Sequence, residues 1–378
     1  MIYFDNAATA KYKPLSVMLS LILSTFKYYA NPGRSGHTAS IKTALKVQSV
    51  RESLKDYFNA DTNQNIIFCY NCTDALNLAI LGTAVTGGNV IADSTNHNSV
   101  LRPLYDLQKQ GKIDITIINP NSQGKIEPEE IAKHITDKTY LVCINHTSNV
   151  TGVTQDIQKI SDLCKSKHIM LLVDSAQSAG HLNIDMQKQN ISMLAFAGHK
   201  GLHGIQGIGG LVISPTIALK PIRFGGTGTM SESVYQPITP PEAFESGTIG
   251  TPAILALGAG LKWTKSHFNK INNKIHKLSA YILNELYLIK NVTVYTPKNS
   301  RSGVISFNIK DKYSSDVSDI LNYKYKICTR PGIHCAPLIH THLKTLETGT
   351  VRISIDINNT LRQAKKLVSA IKEISSQN

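Results

Sequence analysis

No run of about 18 uninterrupted apolar residues, the length that spans a bilayer, occurs in this chain. Charge is also scarce: 17% of the 378 residues are charged against 42% hydrophobic. That balance excludes a disordered chain and leaves enough apolar material for one large domain plus a smaller one. Acidic side chains are the rarer sign, 26 against 40 Lys and Arg, for a net charge of +14. The basic residues are scattered, without long blocks or interleaved aromatics. The charge therefore reads as that of a protein handling an anionic cofactor and substrate, and neither a nucleic acid nor a membrane surface is the expected partner.

Cysteine is sparse too. The six thiols, at 69, 72, 143, 164, 328 and 335, make no disulfide framework in a chain this long. Such usage fits a reducing compartment, and the cytoplasm is the expected location. Cys69 and Cys72 form a Cys-x-x-Cys pair, but no second close pair completes a zinc ribbon. A structural role is expected for both. Residues 13–26 superficially resemble a signal peptide, because Lys11 and Lys13 lead into an apolar stretch. A mixed segment precedes it, however, and no small-residue cleavage site follows. Leu15, Met18, Leu19, Ile22, Leu23 and Phe26 share one helical face and Ser16, Ser20 and Ser24 another, so an amphipathic helix is expected.

Between about 65 and 215, short apolar runs alternate with helical segments. The strand candidates are 66–69, 89–93, 114–119, 140–145, 170–174, 193–196 and 209–214; the helix candidates are 73–81, 100–110, 128–135 and 157–166. Such alternation predicts an α/β fold with a mostly parallel sheet covered by helices on both faces. Asp93, Asn145 and Asp174 end strands, and ligands of such sheets bind outside the strands' carboxyl ends. Residues 223–252, rich in Gly, Thr, Ser and Pro, read as a long loop. A long helix is expected over 253–289, followed by a smaller α+β domain of about a hundred residues.

Lys200 ends an apolar run and enters a glycine-rich segment, Ala195 to Gly210, where backbone can pass close to a ligand. Upstream, Asp174 closes a buried strand. A lysine for a Schiff base and an acid for a pyridine nitrogen are what pyridoxal phosphate requires. Gln177 can donate to the ring's phenolate oxygen, and His199 can reach the phosphate. Asp174 taken alone reads first as a helix cap, and it is Lys200 beside it that turns the reading to the cofactor. Thr73 opens a helix whose free amides suit a phosphate, though it would serve there as a plain cap in either case. His97, just past Asp93, can stack on a ring and shuttle protons, or be an ordinary loop histidine. Cys335, within Arg330 to Pro337, sits among basic residues that favour a reactive thiolate. A metal site is its rival, since His334, His340 and His342 are near, but their spacing matches no standard zinc set. Arg352 suits a substrate carboxylate, with Asn149 assisting; an ion pair is the alternative.

These segments, in this order, resemble the class V aminotransferase group of fold-type I pyridoxal phosphate enzymes, and within it the cysteine desulfurase and selenocysteine lyase group. The likeness covers the whole length: Tyr3 to Thr9, Asn31 to Thr38, Thr73 to Asn77, Asn96 to Ser99, Ser148 to Gly152, Asp174 to Gln177, Gly198 to Gly201, Gly225 to Gly228, Glu245 to Thr248, Arg330 to Pro337 and Thr350 to Ser354. The resemblance implies a large pyridoxal phosphate-binding domain, residues 15–255, with a mostly parallel seven-stranded sheet. It implies a small α+β domain built from 1–14 and 256–378. Lys200 would be the Schiff-base lysine, Asp174 the partner of the pyridine nitrogen, Gln177 that of the phenolate oxygen, and His97 would lie over the ring. Thr73 and His199 would hold the phosphate. Thr248 would reach the phosphate in the partner subunit of a homodimer. Arg352 and Asn149 would hold the substrate carboxylate, with His37 nearby, and Cys335 would carry a persulfide to a sulfur-acceptor protein. Ala197 stands where relatives often have serine, which removes one phosphate bond. The implied reaction is L-cysteine to L-alanine, feeding iron–sulfur or other thio-cofactor assembly. L-selenocysteine cleavage, another class V reaction that does not need Cys335, a non-catalytic sulfur-carrier or zinc-binding role, and a tRNA-linked role remain alternatives at this point.

Overall fold

The computed structural model describes residues 1–33 and 35–376, the side chain of Gln64 aside; Arg34, in the Asn31–Thr38 segment, lies outside the described residues. From the N-terminus come β1 (Ile2–Tyr3), α1 (Leu15–Lys27), α2 (Thr38–Phe58), β2 (Ile66–Cys69), α3 (Cys72–Gly82), β3 (Gly88–Asp93), α4 (Asn98–Lys109) and β4 (Ile113–Ile118). Then follow α5 (Pro128–Lys133), β5 (Thr139–Asn145), α6 (Ile157–Ser166), β6 (Met170–Asp174), β7 (Met193–Ala197) and β8 (Gly209–Ile213). After the long loop come α7 (Thr251–Leu286), β9 (Val292–Val294), β10 (Val304–Ile309), α8 (Ser314–Tyr323), β11 (Ile327–Cys328), α9 (Pro337–His342), β12 (Val351–Ser354) and α10 (Leu361–Ser376).

Seven strands form one sheet in the order β2-β8-β7-β6-β5-β3-β4. All run the same way except β8, which is antiparallel to both neighbours. Its central strands are mostly apolar and buried on both faces, as helix-covered parallel sheets require, while the edge strand β4 carries Asp114 and Thr116 and is largely half-buried. Every expected strand of this sheet forms, with ends within one residue of expectation. The sheet's faces carry separate cores. One joins α2 and the start of α7 to residues such as Val142, Val173 and Phe196; the other joins α3 and α4 to Leu141, Leu172 and Ala195. A third core, with Phe4, Ile275, Phe307 and Ile371, lies around the antiparallel sheet β12-β10-β9. The helix α7, about 54 Å long at 1.5 Å per residue, contributes Leu257 and Leu261 to the first core and Ile271 to Leu286 to the third.

Two elements depart from the sequence pattern. Six apolar residues of α1, Leu15, Met18, Leu19, Ile22, Leu23 and Phe26, are exposed, Phe26 by 75%, while Val17 and Ser24 are its buried ones. The apolar stripe of α1 therefore faces away from this chain's own core, and a stripe of that kind marks a contact surface. The pattern did not reveal α2, because its buried face mixes Val47, Leu54 and Phe58 with Ser40, Thr43 and Arg51.

Arg51 explains its own burial. Its guanidinium grips Glu245 through two hydrogen bonds of 2.8 Å, donates to Ile66 O and lies 4.4 Å from the centre of the Phe68 ring. Glu245 Oε1 also accepts from Phe68 N at 2.6 Å. This bidentate pair ties α2, β2 and the 223–250 loop together, and stripping one partner from such a pair leaves a buried charge. Glu245→Gln is expected to cost about 3 kcal/mol and lower the melting temperature by several degrees. An unchanged melting curve would mean that the loop is held by other contacts.

Candidate active site

The crevice lies where the carboxyl ends of β5 and β6 and the turn after β7 converge. Pairing sets Asn145 opposite Asp174 and Asp174 opposite Ala195. Lys200 then follows β7 by a short turn, half-buried and facing a cavity of about 110 Å³. Thr73, His97, Asn149, Asp174, Gln177 and His199 line the same cavity, together with Asn71, Cys72, Ser99 and Asn145. The lysine turn passes so close to Gly180 that a Cβ there would lie 2.2 Å from Gly201 O. Gly180 also has φ +94°, so glycine is required on both counts.

Asp174 is buried, and its Oδ1 accepts from Ala176 N at 2.9 Å and from the Cys72 thiol at 3.7 Å. Cys72 is the residue that the sequence reading left as structural: it opens α3 and faces the crevice. Burial, then the neighbouring Asp174, push its thiol well above the usual range, so it is a neutral donor. Asn71, not Thr73, caps α3, with Oδ1 accepting from Asp74 N at 2.9 Å. Thr73 sits in the first turn, its Oγ1 2.7 Å from Ser99 Oγ. The amides of that turn lack intrahelical acceptors and favour an anion.

His97 caps α4. Its Nδ1 accepts from Ser99 N at 3.1 Å, which leaves the ring proton on Nε2. Burial, reinforced by the Lys200, Arg330 and Arg102 charges, lowers its pKa to about 4 against the pull of Asp174. Burial and the charges of Lys200 and Lys13 lower that of His199 to about 4 as well, and its buried Nδ1 has no protein partner. Lys200 is shifted down by burial, with Arg352 and Arg330 adding and Cys72 and Asp174 opposing. A larger share of neutral amine results at any given pH. Gln177 donates to Ala7 O at 3.1 Å. Asp93 is used within its own turn, where it accepts from Thr95 N, Asn96 Nδ2 and Asn145 N.

Cys335 does not itself line the Lys200 cavity; it is half-buried, in a turn in which it and His334 both have left-handed backbone, φ +57° and +49°. The turn is pinned on two sides: Asn98 N donates to Cys335 O at 2.7 Å, and Asn149 Nδ2 donates to His334 O at 2.8 Å. Arg330 reaches 3.9 Å from Cys335 Sγ. His334 and His340 are used locally, against Thr350 and Thr345, and among the described residues no group of three or more His, Cys, Asp or Glu could hold a metal ion. Arg352 is 1% exposed. Its NH2 pairs with Asp5 Oδ1 at 2.9 Å, NH1 donates to Asn149 O at 3.2 Å, and Nε is unpartnered. Two expected residues lie elsewhere. His37 is exposed and caps α2. Thr248 lines a separate cavity with Tyr70, Arg223 and Glu245.

The His97 ring should titrate near pH 4 by NMR. Because Asp174 raises that value, Asp174→Asn should lower it further. A midpoint at the ordinary imidazole value in both proteins would contradict the buried, cation-flanked environment.

The aminotransferase class-V family pattern matches residues 2–367. The chain is 31% identical to a probable cysteine desulfurase of Methanothermobacter thermautotrophicus, over 99% of this chain and 94% of that one. It is 32% identical to a probable cysteine desulfurase of Borreliella burgdorferi, over 99% and 92%. Among solved structures, the apo cysteine desulfurase of Thermococcus onnurineus NA1 superposes with a TM-score of 0.91 at 30% identity, covering 100% of this chain and 95% of that one. A full-length match of this kind, on a sheet with a lysine and an aspartate at its carboxyl edge, makes the chain a member of the class V aminotransferase family.

Proposed function

We propose that the protein is a pyridoxal phosphate-dependent cysteine desulfurase that converts L-cysteine to L-alanine and receives the sulfur as a persulfide on Cys335. The observation that carries this reading is the Cys335 turn, fastened to Asn98 and Asn149 beside His97, with His97 and Asn149 lining the Lys200 crevice. The names of full-length relatives support it.

The residues fit the cofactor. Lys200 would attach it, Asp174 would meet the pyridine nitrogen, Gln177 the phenolate oxygen, and His97 would cover the ring. The unpartnered Nδ1 of His199, Thr73 and the first amides of α3 suit the phosphate. When bound, the cofactor supplies an electron sink for the substrate's α-carbon. The lowered pKa of Lys200 equips its amine to take and return the α-proton. Arg352 and Asn149 would hold the substrate carboxylate, and the free Nε of Arg352 is a donor for it. The Cys335 thiolate, beside the Arg330 guanidinium, attacks the substrate sulfur. A sulfur–sulfur bond forms and the substrate's carbon–sulfur bond breaks. The electron pair of the broken bond stays on carbon, which takes a proton to become the alanine methyl group.

A homodimer is part of the proposal, with Thr248 completing the partner subunit's phosphate site. The exposed apolar stripe of α1 and the distance of Thr248 from its own crevice support it. We also propose residues 15–255 as the cofactor-binding body and 1–14 with 256–378 as the smaller one, supported by their separate cores. A sulfur-acceptor protein, delivery to iron–sulfur or other thio-cofactor assembly, and a cytoplasmic location complete the reading; six free thiols support a reducing compartment.

The deciding comparison is alanine released from L-cysteine by the cofactor-loaded wild type and by Cys335→Ala. Wild type should make alanine, and the variant almost none while keeping its visible cofactor absorbance. Equal rates would make the protein a class V lyase or transaminase that does not use Cys335.

A further inference from the structure

A buried cluster against the lysine turn takes no part in these steps. His203 is fully buried with left-handed backbone, φ +54°, which is uncommon for a non-glycine residue. Its backbone N donates to Lys200 O at 2.9 Å. Its ring links two other parts of the chain: Nδ1 lies 3.0 Å from Thr264 Oγ1 on α7, and Nε2 lies 3.2 Å from Asp356 Oδ1. Thr264 Oγ1 in turn reaches Gly201 O at 3.4 Å, so α7 braces the lysine turn by a second route. Tyr12 and Trp263, the sole tryptophan, pack edge-on to the His203 ring at 6.3 and 5.0 Å.

Asp356 is 2% exposed and follows the strand that carries Arg352. Burial alone would favour its neutral form, but the hydrogen bond and charge of His203, with the charge of His181, hold it below the usual carboxylate range. Asp356, His181, Gln177 and Lys200 also line one small cavity of about 20 Å³. The His203–Asp356 contact therefore bridges the turn bearing Lys200 and the segment bearing Arg352, with a sequence separation of 153 residues.

We propose that His203 and Asp356 are positioning residues, a buried pair that fixes the Lys200 turn relative to Arg352 and so aligns the lysine amine with a substrate whose carboxylate Arg352 holds. The proposal rests on the roles given to Lys200 and Arg352 above.

The test compares wild type, His203→Gln, Asp356→Asn and the double variant, all well below their melting temperatures. It measures kcat and KM for alanine release from L-cysteine. It also measures the rate at which added pyridoxal phosphate becomes trappable by borohydride on Lys200, read by peptide mass. Each single variant should lose between about tenfold and about a hundredfold in kcat, the scale of a misplaced reacting group, with KM little changed. Trapping should slow in parallel, and the double variant should be no worse than either single one, because the pair acts as a unit. If His203→Gln does not fold, Asp356→Asn, which keeps the side chain's shape, carries the same comparison. Variants that lose melting temperature but keep wild-type kcat and trapping rates would reduce the pair to a structural staple and overturn the proposal. If wild type itself releases no alanine, the desulfurase reading fails, while the substrate-free trapping rates still decide the role of the pair.

Discussion

The register of three neighbouring strands governs this site. Asn145, Asp174 and Ala195 stand side by side across β5, β6 and β7. Each of these strands runs in the same direction, so their carboxyl ends open on one crevice. A slip of one residue would turn Asp174 to the opposite face of the sheet. The lysine then needs only the short turn after β7 to face the same cavity, and the tight packing of Gly201 on Gly180 closes that turn.

The second half of the site comes from both ends of the chain. The N-terminal segment pairs with β11, donates and accepts at Ser354, and continues to the lysine turn, where Ala10 N donates to His199 O at 3.2 Å. Asp5 on this segment meets Arg352, and Ala7 receives Gln177. Lys200 thus sits within electrostatic reach of Arg352 and Arg330. Desolvation first, and then repulsion from these cations, favour a neutral lysine. The same concentration of positive charge suits a cofactor phosphate, a substrate carboxylate and a thiolate at Cys335.

The sequence made the sheet legible because most of its strands are short, largely apolar runs bounded by polar residues, and the edge strand β4 still alternates Ile with Asp114 and Thr116. It made Lys200 and Asp174 legible as a pair, because a lysine after one apolar run and an aspartate ending the run before it are what pyridoxal phosphate requires. It was less informative where a signal is shared between distant segments. Cys72 looked like a spacing accident, and only the fold brings it to Asp174. Six apolar residues share one face of α1, as its amphipathic pattern predicts, yet that face points outward. Arg51 interrupts the apolar face of α2 because its partner, Glu245, lies 194 residues away. His37 and Thr248 came from family likeness alone, and within one chain neither reaches the Lys200 cavity. The His203–Asp356 contact has no local signature at all.

In the proposed reaction the Lys200 crevice delivers sulfur to Cys335 and to no other thiol of the chain. The most direct measurement is peptide mass mapping of all six cysteines after the cofactor-loaded protein has met less than one equivalent of L-cysteine, without reductant. One added sulfur atom is expected on the Cys335 peptide and none on Cys72, the thiol that lines the crevice. Added sulfur on Cys72 or Cys328, or alanine formed with no sulfur retained on the chain, would contradict it.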